Sequence, residues 1–161
     1  MLGPQDDAFT PEGIETFLSS AYVVSAKTDR MGCQLEGPAI AHRSGFNIIS
    51  DAIAPGSVQV PGNGQPIVLL ADRQTTGGYP KIATVISADL PALGRLPIGA
   101  RIGFELVTAE AAAAARLSLF AEMEALPGKI RPLARTGHDI ATRLSDCNLI
   151  SGAVDALSFA A

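Results

Sequence analysis

The chain has 161 residues, of which 47% are apolar and 17% charged, and its formal net charge is −4. This length suits one domain, or one domain with a tail, and so apolar a composition excludes wholesale disorder. The mildly acidic balance argues against nucleic-acid binding, and no apolar run approaches the roughly 20 residues of a membrane-spanning helix. No secretory signal pattern is visible, so we expect a cytoplasmic globular protein. Its two cysteines, Cys33 and Cys147, are expected to be reduced thiols, and no zinc-binding spacing is present.

The N-terminal part of the chain predicts one short helix followed by two short strands. Thr10 is a suitable N-cap, and Pro11 is tolerated at the first helical position because its missing N–H would be unpaired there. The helix is therefore predicted to begin at Pro11 and to end near Ser20. The β-prone segments Ala21–Ser25 and Cys33–Glu36 are predicted strands.

The middle of the chain is almost free of charge. Between Ser44 and Ala71 the only charged residue is Asp51. Helices of soluble proteins normally carry a charged face, so this stretch favours strands and tight loops. Gly and Pro divide it and the following segment into three predicted strands, Ser57–Val60, Ile67–Ala71 and Ile82–Ser87. The continuous apolar run of the second strand predicts burial on both faces, and the spacing indicates a barrel or sandwich.

The C-terminal part predicts a mixture of short elements and one longer helix. A turn of helix over Asp89–Leu93 is followed by a half-exposed strand over Arg101–Val107. Thr108 is the predicted N-cap of an alanine-rich helix that runs from Ala109 to about Ala125, and we expect Pro127-Gly128 to stop it. Beyond it we expect an amphipathic segment containing Ile140 and Leu144, and a small apolar tail.

The most informative stretch is a pair of glycine-rich loops that flank the predicted buried strand. Their neutral hydrogen-bonding side chains are Gln59, Asn63 and Gln65 before the strand, and Gln74, Thr75 and Thr76 after it. A carboxamide offers an acceptor and a donor side by side, which suits a ligand with N–H next to C=O, such as urea, a lactam or a ureido ring. Gly77 and Gly78 would let the backbone approach such a ligand closely. The same residue types also build ordinary turns, so both interpretations stay open.

Charged candidates are few. Asp72 could accept a proton, and Arg30, Arg73 or Lys81 could anchor an anion, although exposed charges at strand ends are often simple surface pairs. Neither His42 nor His138 has a partner at metal-ligand spacing. The sequence contains no G-x-S-x-G motif and no P-loop.

Two segments resemble a known family. They are Ser25–Pro38, SAKTDRMGCQLEGP, and Ile48–Ile86, IISDAIAPGSVQVPGNGQPIVLLADRQTTGGYPKIATVI. They resemble the C-terminal half of the biotin-dependent carboxyltransferase family, which includes the C subunit of 5-oxoprolinase (allophanate hydrolase subunit 2), KipA-like proteins and the carboxyltransferase domain of urea amidolyase. The resemblance extends from about Gly3 to Val107 and is most specific between Gln59 and Pro80.

This resemblance implies a mainly β fold with a few helices: a cyclophilin-like β-barrel lobe over residues 1–108 and a helical tail over residues 109–161. The implied activity is that of one component of a hydrolase. With the A subunit and a KipI-like B subunit, it would open 5-oxoproline to glutamate in an ATP-dependent complex. Within this interpretation the predicted catalytic residues are Asp72 and Gln74. The predicted substrate-binding residues are Arg30, Gln59, Asn63, Gln65, Arg73, Thr75, Thr76, Gly77, Gly78, Tyr79 and Lys81.

Two further functions remain open from the resemblance. One is biotin-dependent carboxyl transfer from carboxybiotin to urea, and the other is a regulatory module that binds a KipI-like kinase inhibitor. Because the N-terminal lobe of the family is missing, we expect little activity from the chain alone, and we expect neither ATP nor biotin to bind this lobe by itself. Part of the apolar surface is expected to face a partner or a second copy of the chain.

Overall fold

The computed structural model describes residues 1–130, which form a mainly β lobe with three helices. The helices are α1 (Pro11–Ser19), α2 (Leu90–Leu93) and α3 (Ala109–Lys129). The strands in chain order are β1 (Tyr22–Val24), β2 (Gly32–Glu36), β3 (Asp51–Ala52), β4 (Ser57–Gln59), β5 (Ile67–Leu69), β6 (Thr76–Gly77), β7 (Lys81–Thr84) and β8 (Arg101–Ile102). The predicted mainly β fold with a C-terminal helix is confirmed.

Six strands form one antiparallel sheet in the order β7-β4-β5-β2-β1-β8, and β3 pairs with β6 separately. The N-terminal segment continues the large sheet, since Leu2 bridges to Ala83 on the outer edge of β7. Ala83 of one edge strand and Ile102 of the other line the same cavity of about 370 Å³. The sheet therefore curls until its two edges face each other, as a barrel-like lobe requires.

The core lies inside this curled sheet and is closed at one side by α1. Thr10 caps α1, because its Oγ1 accepts a hydrogen bond of 3.0 Å from the backbone N–H of Gly13. Phe17 of α1 is 1% exposed, and its ring packs against the rings of Tyr22 and Phe104. Aliphatic side chains from the central strands complete the core, among them Leu35, Val58, Val68 and Ile82.

The strands predicted from apolar runs are present but shorter than expected. The central strand β5 lies between β2 and β4, and its Val68 and Leu69 are buried, which confirms burial of this strand on both faces. The predicted strand Arg101–Val107 is wrong beyond Ile102, because β1 offers pairing partners to the first two residues alone. Its alternation instead reflects the packing of Ile102 and Phe104 against the core.

The long helix α3 begins as predicted, since Thr108 Oγ1 accepts a hydrogen bond from the N–H of Ala111. The predicted end near Ala125 is wrong, because α3 continues through Pro127 and Gly128 to Lys129. An interior proline removes one hydrogen bond and crowds the carbonyl four residues earlier, which can kink a helix without ending it. None of the α3 residues is buried, and its Leu117 side chain is 70% exposed.

The chain divides into two compact units, Met1–Glu124 and Ala125–Ala161. The predicted amphipathic segment with Ile140 and Leu144, the apolar tail, His138 and Cys147 lie outside the described residues. Within residues 1–130, Cys33 is a buried free thiol, and burial raises its pKa. None of the helices in this range is both long and apolar enough to cross a membrane.

Gly13 provides a test of how α1 is packed. A Cβ at this position would collide with the carbonyl oxygen of Ala41, whereas in an open helix alanine is favoured over glycine by about 1 kcal/mol. We expect Gly13→Ala to lower the free energy of unfolding by about 1–3 kcal/mol in urea titrations, because the clash outweighs the helix propensity. The exposed position Glu15 is the control, and Glu15→Ala should change stability by less than about 0.5 kcal/mol. A Gly13→Ala protein as stable as the wild type would contradict this packing.

Candidate substrate-binding site

A buried lysine marks the most polar part of the lobe interior. Lys81 is 2% exposed, and its Nζ lies 2.7 Å from Oδ2 of Asp51. The same ammonium donates a second hydrogen bond of 3.1 Å to the carbonyl oxygen of Ala52. A buried ammonium requires a counter-charge and hydrogen-bond acceptors, and β3 supplies both.

The carboxylate of Asp51 is held from several sides. Its Oδ1 accepts from the N–H of Ala52 at 2.8 Å, and its Oδ2 also accepts from Nε2 of Gln5 at 3.1 Å. The hydrogen bond from Lys81, followed by those from Ala52 and Gln5, holds the pKa of Asp51 below its ordinary value. Gln5 also accepts from the backbone N–H of Lys81 at 3.2 Å, so one carboxamide contacts both partners of the ion pair.

Strand pairing brings Gln59 to the same place. Gln59 of β4 is paired with Lys81 of β7, next to a register shift between Val58 and Gln59. A β-bulge changes the direction of neighbouring side chains. Here the consecutive residues Lys81 and Ile82 are both buried, although alternate residues of a strand normally point to opposite faces. We call Gln5, Asp51, Gln59 and Lys81 the Lys81 cluster.

Gly77 fixes the position of the Gln59 carboxamide. Gly77 is paired with Asp51, and a Cβ on Gly77 would lie 2.7 Å from Nε2 of Gln59 and 2.7 Å from Cδ1 of Ile53. Glycine is needed here for close approach, not for backbone conformation, because its φ is not positive. Nε2 of Gln59 donates to the carbonyl oxygen of Tyr79 at 3.3 Å.

Gln59 is therefore a buried side chain with an unused acceptor. It is 2% exposed, and its Oε1 accepts no hydrogen bond from any described residue. The Lys81 ammonium has three N–H donors, of which two are matched by Asp51 and Ala52. An unused acceptor and an unused donor therefore lie on two residues that are paired across β4 and β7, and such a pair suits a group that carries N–H next to C=O.

Two of the other predicted carboxamides hold the loops together. Gln65 accepts from the N–H of Gly37 at 2.8 Å and donates to its carbonyl at 3.0 Å. Oδ1 of Asn63 accepts from the N–H of Gln65, in the manner of an Asx turn. These contacts give Asn63 and Gln65 a structural role in the free protein, and their predicted role in binding remains a prediction.

Asp72 lies in a separate group with Arg30. The guanidinium of Arg30 contacts the Asp72 carboxylate through Nε at 2.7 Å and Nη2 at 3.3 Å, and the two side chains are 84% and 48% exposed. No hydrogen bond or ion pair within residues 1–130 joins this pair to the Lys81 cluster. Leu70 and Leu90 line an open cleft of about 610 Å³ beside Arg30.

The remaining predicted residues lie on or near β6. Arg73 donates through Nε to the carbonyl of Ile53 at 3.2 Å, so its guanidinium ties this loop to the chain after β3. Thr75 accepts a backbone hydrogen bond from Ile53, and Thr76 is paired with Ala52. Other exposed or partly exposed predicted residues of this loop are Gln74, Gly78 and Tyr79.

Sequence reasoning missed Asp51 and Gln5. Asp51 is the one charge in a long uncharged stretch, and that isolation was a usable signal of a specific partner. Gln5 carries no comparable signal, because it reaches the site through pairing of the N-terminal segment with β7. Within the described range, no group of His, Cys, Asp and Glu is arranged to hold a metal ion.

The ion pair predicts a specific dependence of stability on pH. The folded pKa of Asp51 lies below the ordinary 3.8, so its stabilisation is complete above pH 3.8 and is lost as the pH falls through the lower folded value. We expect Asp51→Asn to be less stable than the wild type near pH 7, and the difference to shrink below about pH 4. Thermal midpoints between about pH 2 and 7 measure this, with Glu15→Gln as a control for the loss of an exposed carboxylate. A difference that stays constant with pH would contradict the assigned role of Asp51.

Comparison with known proteins shows which domain family the chain resembles. Residues 1–106 match the family described as carboxyltransferase domain, subdomain A and B. The chain is 48% identical over 95 residues to the C subunit of 5-oxoprolinase from Haemophilus influenzae, covering 59% of this chain and 31% of the relative. It is 41% identical over 114 residues to the C subunit of 5-oxoprolinase from Escherichia coli, covering 71% and 37%.

The fold agrees with a solved structure. Urea amidolyase of K. lactis superposes with a TM-score of 0.73 at 24% identity, over 77% of this chain and 8% of that one. The chain spans about a third of the length of the curated relatives it matches, with coverage of 31% and 37%. The family match covers 106 of the 161 residues and contains every residue of the Lys81 cluster. The chain therefore belongs to the carboxyltransferase domain family, subdomains A and B.

Proposed function

We propose that this lobe is part of a 5-oxoprolinase, a hydrolase that opens 5-oxoproline to glutamate in an ATP-dependent cytoplasmic complex. Two relatives named as the C subunit of 5-oxoprolinase, at 48% and 41% identity, support this assignment. The observation that carries the binding site is the buried Gln59 carboxamide, with its unused acceptor, beside the Lys81 ammonium.

The substrate lactam fits the chemistry of this site. Oε1 of Gln59 would accept the ring N–H, and the third N–H of Lys81 would donate to the ring C=O. Burial strengthens both hydrogen bonds because little water competes with them. The ion pair with Asp51 holds the ammonium in place before the substrate arrives, so little reorganisation is required on binding.

A partly apolar segment next to the site could form a docking surface for partner proteins. The Phe46 ring covers Gly62, and the backbone N–H of Ile48 donates to the carbonyl of Gly78, so this segment lies over both glycine-rich loops. Its Ile49 side chain is 94% exposed. We propose that this apolar surface contacts the partner proteins, a KipI-like B subunit and the A subunit, or a second copy of the chain. ATP would be consumed by the assembled complex, and biotin would enter only in the urea-carboxylating alternative.

Asp72 and Gln74 are the competing candidates for the catalytic position. Their loop is exposed, and Asp72 is neutralised by Arg30 outside the Lys81 cluster. Both side chains of that pair are exposed, at 84% and 48%, so solvent screens both charges. In the Lys81–Asp51 pair the carboxylate is 49% exposed, but the ammonium is buried at 2%. We therefore propose that the substrate binds at Gln59 and Lys81. The Asp72 loop is the alternative site, and variants of the two sites distinguish between them.

A chimera tests the proposal. Residues 1–106 would replace the matching third of the C subunit of Escherichia coli 5-oxoprolinase, and glutamate formation from 5-oxoproline would be assayed with the partner proteins and ATP. We expect activity, and we expect Gln59→Leu to lower kcat/KM at least about tenfold, or about 1.4 kcal/mol, by removing the lactam contact. Gln34→Leu is the matched control, because it makes the same chemical change on β2 at a side chain with no described hydrogen bond.

Other outcomes would redirect the assignment. A larger loss in an Asp72→Ala/Gln74→Ala variant than in Gln59→Leu would place the chemistry beside Arg30. A chimera that forms no glutamate from 5-oxoproline but supports biotin-dependent carboxylation of urea would favour the carboxyltransfer alternative. A chimera that has neither activity but captures the KipI-like partner would favour a regulatory module.

A further inference from the structure

The charge state of the Lys81 cluster limits what can bind there. Lys81 is 2% exposed, and within residues 1–130 Asp51 is the acidic residue that forms an ion pair with it, at 2.7 Å. The Asp51 side chain is 49% exposed, so the pair lies at the edge of the lobe interior with its cation on the buried side. The remaining members, Gln5 and Gln59, are uncharged. The positive charge at this site is therefore already compensated before any ligand arrives.

The compensation is built in by several hydrogen bonds. Asp51 is fixed by the N–H of Ala52 and by Nε2 of Gln5, and Gln5 also contacts the backbone N–H of Lys81. A carboxylate that swung away would lose these bonds together with the ion pair. We expect Asp51 to remain beside Lys81 when a ligand binds.

A second carboxylate would meet an unfavourable site. It would have to lose its hydration shell and then share the Lys81 ammonium with the carboxylate of Asp51, which repels it. An uncharged amide group loses far less hydration energy and experiences no net repulsion. A site that binds an anion would instead offer a cation that is not already paired with a carboxylate of the protein.

We infer that Asp51 is a specificity-determining residue, which makes the Lys81 cluster select an uncharged N–H/C=O group and reject a carboxylate. The inference rests on the proposed binding of the lactam at Gln59 and Lys81. For 5-oxoproline, which carries both groups, the lactam enters the cluster and the carboxylate is held by a cation outside it. The predicted role of Lys81 as an anion anchor is replaced by that of a donor to a neutral carbonyl.

The test uses the full 161-residue chain and two small probes. NMR titrations with 2-pyrrolidinone, an uncharged lactam, and with acetate are followed at the backbone amides of Ala52 and Gly77 and at the side-chain amide of Gln59. The wild type should show saturable shifts with the lactam and much weaker shifts with acetate. In Asp51→Asn, the half-saturating acetate concentration should fall about tenfold, because the ammonium is no longer compensated.

Three controls isolate the cause. Asp51→Glu keeps the charge and should restore rejection of acetate. The double variant Asp51→Asn/Lys81→Met removes both charges and should gain no acetate binding. Glu15→Gln makes the same change in net charge at an exposed position of α1 and should behave as the wild type does.

The outcomes separate this inference from the proposed function. Lactam binding at these amides with no gain of acetate binding in a folded Asp51→Asn protein overturns the inference and leaves the lactam site standing. Should Asp51→Asn not fold, wild-type protein that binds acetate as tightly as 2-pyrrolidinone overturns it directly. Absence of lactam shifts in the wild type counts against the proposed function, while a gain of acetate binding in Asp51→Asn would still support the charge role of Asp51.

Discussion

An ammonium group inside a β lobe must find a negative charge and enough acceptors, and Lys81 obtains both from one short strand. Asp51 supplies the carboxylate, and the next residue, Ala52, supplies a backbone carbonyl. β3 is paired with β6, and its Asp51 and Ala52 contact the ammonium of Lys81 on β7. Gly77 of β6 leaves space for Gln59. Without Asp51 the buried ammonium of Lys81 would have no counter-ion among the described residues. An unpaired buried charge is strongly destabilising, so the contact between β3 and Lys81 would no longer be favourable.

The same constraint makes the site a product of the complete fold. Gln5, Asp51 and Lys81 are far apart in sequence, and they meet only when the N-terminal segment has paired with β7 and β3 has paired with β6. Contacts of such long sequence separation form late, after the loops between them have closed. The site therefore forms only when the lobe is fully folded. Substitutions that displace the N-terminal segment should also disturb the Asp51–Lys81 pair, because Gln5 contacts both residues.

Elements that depend on local sequence signals could be predicted, whereas those that depend on contacts between residues distant in sequence could not. Strands such as β4 and β5 were predictable because their apolar runs are local signals, and Thr108 was a recognisable N-cap for α3. The strands β3 and β6 have two residues each, too short for any periodicity, and they exist through pairing with each other. The end of α3 was mispredicted because an interior proline can kink a helix and still allow it to continue, as α3 does from Pro127 to Lys129.

The candidate site shows the same division. The residue types in the glycine-rich loops indicated an amide-like ligand, but composition could not separate Gln59, which keeps a free acceptor, from Gln65, whose carboxamide is used by Gly37. Nor could it pair Lys81 with Asp51, since that contact depends on the register of two sheets. The carboxylate that was predicted to be catalytic, Asp72, lies with Arg30 outside the cluster.

We propose that an uncharged amide group binds between Gln59 and Lys81, and a crystal structure of the chain soaked with 2-pyrrolidinone would test this. We expect the lactam N–H within hydrogen-bond distance of Oε1 of Gln59 and its carbonyl oxygen near Nζ of Lys81, with the Asp51 contact retained. A lactam found instead in the cleft beside Arg30, with the Gln59 carboxamide unoccupied, would contradict it.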